Sequence, residues 1–123
     1  IKKPPAKNFL IVDVGMNDFL RPPLYGAFHS IREIEQKETD SIKYDVVGPV
    51  CESSDFVGKD RNLSVKEGDY LAIENVGAYG FALSSNYNSR PRLAELMITN
   101  GKVKTIRNKE TLDQLTINEN LDV

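Results

Sequence analysis

"DRNLSVKEGDYLAIENVG", residues 60–77, decides the class of fold. "KEGD" at 66–69 is turn chemistry, with a glycine set among charged residues, and "YLAIENV" at 70–76 reads as a strand that Gly77 closes. Residues 60–65 read as a loop leading into that turn. Working outward, "FLIVDVG" at 9–15 is a short β-branched run ending in glycine, which predicts a buried strand. "IKYDVVGPVCES" at 42–53 carries another, interrupted or pushed to an edge by Pro49. "LAELMITNGKVKTIR" at 93–107 predicts a hairpin, because Asn100-Gly101 favours a type I′ turn. Strands follow strands, and a single main helix is expected near the start, at about Pro22 to Arg32. Prolines suit its entry, and Leu24, Ala27, Phe28 and Ile31 fall at helical spacing, although Gly26 weakens it. "AYGFALSSNYNSRPR" at 78–92 reads as a Gly/Ser/Asn-rich connection, and the tail after Asn108 holds one short helix. The fold class is therefore mainly β: an antiparallel, Greek-key-like β-sandwich or barrel over residues 9–123, after a polar lead-in at 1–8.

Composition narrows the function classes. The chain has 123 residues, 40% hydrophobic and 28% charged, which is one ordinary globular domain with a real core. A net charge of −2 with scattered basic residues offers no footprint for nucleic acid or an anionic membrane. No apolar run is long enough to span a bilayer, and "IKKPPAKN" lacks the hydrophobic region of a secretion signal, so a cytoplasmic location is expected. One cysteine allows no internal disulfide. Because the first methionine is Met16, the sequence also reads as a piece of something longer.

Three groups of residues could carry chemistry. Cys51 is followed by Glu52, two serines and Asp55. On composition alone a lone cysteine is a small core hydrophobe, but Pro49 and "SSD" indicate that the strand is ending, where a side chain can line a site. Metal ligation is disfavoured, since His29 is the only histidine and no second cysteine completes a zinc set. Glu52 would oppose thiolate formation, so a neutral thiol donating a proton suits this setting better than a nucleophile. Arg21 and Tyr25, four apart at a helix entry, are either a surface arginine beside a core tyrosine or a clamp for a carboxylate. "GAYG" at 77–80 could bring backbone amides and the Tyr79 hydroxyl to a phosphate, or could simply be a turn.

Taken in order, "VDVGMNDFLRPPLYGAFHSI", "DVVGPVCESSDF" and "EGDYLAIENVGAYGFALSSNYNSRPRLAEL" resemble the C-terminal domain of the diaminopimelate decarboxylases, over about residues 9 to 98. These are pyridoxal 5'-phosphate enzymes that convert meso-diaminopimelate to L-lysine. Their fold type, shared with alanine racemase and eukaryotic ornithine decarboxylase, joins an N-terminal (β/α)8 barrel to a C-terminal β-sandwich. The resemblance implies that Cys51 is the catalytic proton donor, that Arg21, Tyr25 and Glu52 bind substrate, and that Tyr79 contacts both substrate and cofactor phosphate. It also implies a homodimer in which Cys51 and Glu52 reach into the neighbouring site. Glu52, where related ornithine decarboxylases have aspartate, leans toward diaminopimelate. Pro23, Gly26 and Ser54 depart from common family residues without removing a functional group.

On this resemblance the barrel, with the lysine that holds the cofactor covalently, is absent from the chain. The ten lysines lie in polar loops, at the termini, or on alternating strand positions such as Lys102 and Lys104, which makes none of them a replacement. The 123 residues alone are expected to be inactive and to self-associate through an open edge, an apolar groove or the dimer surface. Two alternatives stand beside this: a free-standing β-sandwich that binds a carboxylate, and a decarboxylase acting on another basic amino acid.

Overall fold

The computed structural model describes residues 1, 7–38 and 40–120. Most of the expected lead-in at 1–8 lies outside them. The centre is a three-stranded sheet in the order β1-β3-β4, formed by β1 (Phe9–Ile11), β3 (Ile42–Val47) and β4 (Phe56–Leu63). β3 and β4 are antiparallel, whereas β1 runs parallel to β3 with Leu10 opposite Val46. That parallel pair departs from the all-antiparallel expectation. Between β1 and β3 the chain has room to turn back, passing through a short helix and another strand, as a parallel pairing requires.

The remaining sheets are two-stranded. β2 (Ile31–Glu33) pairs antiparallel with β5 (Leu71–Ile73), and β6 (Glu95–Thr99) pairs with β7 (Lys102–Arg107). Asn100 and Gly101 both have positive φ, 48° and 70°, as the type I′ hairpin demands. α1 (Arg21–Tyr25), α2 (Gly77–Ala82) and α3 (Leu112–Leu115) are all short. α3 is opened by a capping box between Thr111 and Gln114, which supplies the helix expected in the tail. The class is mainly β with few helices.

The main helix is shorter than its spacing suggested. α1 starts with Pro22 and Pro23 in its first turn and stops at Gly26, whose left-handed φ of 63° lets its amide close on Pro22 O. Beyond Gly26 the chain is extended and enters β2, so Ile31 and Arg32 belong to a strand. Leu24 and Phe28, which mimicked a buried helical face, are exposed, and Phe28 lies under the Arg61 guanidinium at 3.8 Å.

β4 occupies residues that read as a loop from about 60 onward. Two irregularities in its pairing with β3 explain this, because they break the alternation that marks a strand. At one of them Lys59 and Asp60 stand opposite Asp45, and Asp60 adopts a φ of 54°. The buried Asp45 carboxylate accepts the Asp60 amide at 2.9 Å and pairs with Lys7 at 2.6 Å. The core forms around these strands from Leu10, Phe19, Tyr44, Val46, Val57 and Leu63. Each such side chain contributes about 1.5–3 kcal/mol by leaving water.

Candidate active-site surface

Cys51 stands in the loop between β3 and β4, after the strand has ended at Val47, and is exposed. Its loop is built around Asp55, which is only 4% exposed. One Asp55 carboxylate oxygen accepts the amide of Met16 at 2.6 Å, and the other accepts that of Val50 at 2.6 Å. Its backbone closes the same loop, accepting Gly48 N–H at 3.0 Å and donating to Glu52 O at 3.1 Å. A buried carboxylate receiving two amides is a strong, directional brace. It fixes the loop that carries Cys51 and Glu52 against the turn at Met16–Asp18.

Glu52 is also exposed, yet both its carboxylate oxygens are engaged. Oε1 accepts the Ser53 amide at 3.0 Å and the Ser53 hydroxyl at 3.3 Å, while Oε2 accepts the Tyr87 hydroxyl at 3.2 Å. The hydrogen bond to Glu52, reinforced by its negative charge, raises the Tyr87 pKa above the usual phenol value. Tyr87 had been read only as part of a polar connection.

Arg21 and Tyr25 sit at the two ends of α1, one turn apart. The helix of five residues is too short to add much of the dipole that a longer one would lend to an anion. Tyr79 lies on α2, so "GAYG" is the start of a helix rather than a turn between strands. The Arg21 guanidinium is 5.5 Å from the Tyr79 ring centroid, a cation–π distance that brings these two residues together. Tyr25 and Tyr79 are 65% and 60% exposed, so their rings are presented outward. Among the described residues no hydrogen bond or ion pair joins Arg21, Tyr25 or Tyr79 to the Cys51–Glu52 loop.

His29 lies beyond the end of α1 at Tyr25, although the helix was expected to run to Arg32. It is buried edge-on to Phe19, with Nδ1 donating to Glu74 O at 3.0 Å, since a carbonyl oxygen can only accept. It is a structural histidine. A cleft of about 790 Å³ is lined by none of the five residues; aliphatic side chains such as Leu10, Val65 and Leu71 meet charged ones such as Asp18, Lys66 and Asp69 on its walls. Among the described residues no helix is long and apolar enough to cross a membrane.

The family model described as "Pyridoxal-dependent decarboxylase, C-terminal sheet domain" matches residues 1–77. The diaminopimelate decarboxylase of Aquifex aeolicus is 48% identical over 124 residues, covering all of this chain and 29% of that protein. A crystal structure of diaminopimelate decarboxylase from Helicobacter pylori complexed with L-lysine is 55% identical, with a TM-score of 0.83 over 89% of this chain and 27% of that one. The enzyme from M. jannaschii in co-complex with L-lysine is 38% identical, with a TM-score of 0.93 over 98% of this chain and 28% of that one. The chain thus spans under a third of the length of these relatives, and Tyr79 falls beyond the matched family model but within the pairwise similarities. With a sheet domain of similar shape and sequence, the chain belongs to the pyridoxal-dependent decarboxylases, as a C-terminal domain of the diaminopimelate decarboxylase family.

Proposed function

We propose that this domain completes the active site of a decarboxylase that converts meso-diaminopimelate to L-lysine. One observation carries the reading: Cys51 and Glu52 stand exposed on a loop that a buried carboxylate holds in place. An exposed loop with that much internal bracing suits a surface that meets another surface. In the assembled protein Cys51 and Glu52 enter the neighbouring subunit's site across a two-fold interface. Exposed Leu96, Ile98, Val103 and Ile106 on the β6–β7 hairpin support further burial on assembly.

The pyridoxal group fits this chain in part. The exposed Tyr79 hydroxyl on α2 would serve as a donor to its phosphate. For covalent attachment Lys7 and Lys37 are poorly suited, since Lys7 is held protonated by its hydrogen bond to Asp45 and Lys37 is paired with Asp69. That lysine is assigned to a barrel domain outside these residues. When bound, the cofactor supplies the electron sink that makes loss of carbon dioxide possible.

The chain's own residues then bind, orient and protonate. Arg21 presents parallel donors to a substrate carboxylate, with the Tyr25 hydroxyl one turn away. Glu52 receives the ammonium at the substrate's far end. The carbon that loses carbon dioxide regains a proton from Cys51 Sγ, which acts as a neutral general acid.

The test is steady-state turnover of meso-diaminopimelate by the full-length protein and by Cys51→Ala. Turnover by the parent, with kcat reduced about 100-fold or more in the variant, supports the reading. An undiminished Cys51→Ala rate removes the proton-donor role. Full turnover by the 123 residues alone removes the need for a second domain.

A further inference from the structure

The contacts around Glu52 close into a ring that the roles above do not use. Tyr87 Oη donates to Glu52 Oε2 at 3.2 Å, and the Tyr87 amide donates to Ser85 Oγ at 3.3 Å. The Ser85 amide donates to Asn17 O at 2.8 Å, the neighbouring Met16 amide donates to Asp55 Oδ1 at 2.6 Å, and the Asp55 amide returns to Glu52 O at 3.1 Å. The ring thus leaves Glu52 through its side chain and comes back through its backbone. A flexible, exposed glutamate is thereby held at both ends. Met16, Asn17, Ser85 and Tyr87 of this ring also line a small open pocket with Leu20.

We infer that Tyr87 is a positioning residue that aims the Glu52 carboxylate at the distal ammonium of a dibasic substrate and so favours that substrate over one lacking the second amine. This rests on the proposed function above. Holding the acceptor in place before binding spares the substrate the cost of ordering it, so the effect belongs to substrate affinity and not to the chemical step. Tyr87 is 46% exposed, and phenylalanine keeps the ring while removing the donor to Glu52 Oε2. Its raised pKa keeps that donor protonated well above neutral pH.

The experiment compares the full-length parent with Tyr87→Phe, Glu52→Gln and the double variant, on meso-diaminopimelate and on 2-aminopimelate, which lacks the distal amino group. Tyr87→Phe should raise KM for meso-diaminopimelate about tenfold with kcat little changed. It should leave 2-aminopimelate unaffected and add nothing in the Glu52→Gln background. An equal loss on both substrates, a loss in kcat alone, an unchanged KM or full additivity overturns the inference while the functional reading stands. A parent that does not turn over meso-diaminopimelate overturns both.

Discussion

Gly48 lies so close to Asp55 that a Cβ built on it would stand 2.4 Å from the Asp55 carboxylate. Glycine is required there because the carboxylate must reach past it to the Met16 and Val50 amides. Asp55→Ala leaves those amides without their acceptor and should cost about 3 kcal/mol in urea unfolding. Gly48→Ala should also destabilise, since the atom in its way belongs to a side chain fixed by two hydrogen bonds. An Asp55→Ala domain as stable as the parent would show that water replaces the carboxylate.

Leu63, at the end of β4, is 2% exposed within the core cluster. Leu63→Ala should lower unfolding free energy by about 2–5 kcal/mol through lost transfer energy and the cavity left behind. Chemical denaturation of the parent and variant measures it.

Tyr87 titrates above the ordinary phenol range because it donates to Glu52 and lies near its charge. In the Glu52→Ala variant its pKa should fall back toward about 10. A raised folded-state pKa favours the native state below the unfolded pKa, and that contribution disappears as pH rises through the folded value. Tyrosine ring NMR shifts against pH follow the titration directly.

Glu110 accepts the Arg92 amide at 2.8 Å, Asn86 Nδ2 at 2.7 Å and Arg92 Nε at 2.8 Å, and these contacts depress its pKa, the backbone hydrogen bond most. Its contribution is present above the unfolded carboxylate value and is lost as pH falls through the lower folded value. Glu110→Gln should therefore weaken the domain near neutrality and flatten its loss of stability between about pH 5 and about pH 3. Thermal melts across that range give the comparison.

The 123 residues alone should self-associate, because both faces of the β6–β7 hairpin expose apolar side chains, among them Leu96, Ile98 and Val103. Sedimentation velocity should show species larger than a monomer at high concentration, reduced by Ile98→Lys. A strictly monomeric parent would remove this expectation.

Several features were legible because their causes are local. Asn100-Gly101 announces its turn since few residues accept two successive positive φ values. Pro49 marks the end of β3, which left Cys51 and Glu52 outside the sheet. The five candidate residues came from motifs in order, and the fold places Arg21 beside Tyr79 across a long stretch of sequence. β4 was obscured by two interruptions of its alternation, and α2 by glycines at 77 and 80 that read as turn residues.

The sequence by itself determined the β class, the hairpin and the residue types that chemistry needs, since each depends on backbone preference or on a motif read over a few neighbours. Only the tertiary structure decided that β1 would lie parallel to β3 and that Asp55 and Tyr87 would both hold the Cys51–Glu52 loop. Those outcomes depend on partners 30 or more residues away, such as Met16 with Asp55 and Glu52 with Tyr87, separated by 39 and 35 positions. No local preference encodes such pairings, and packing alone brings them together.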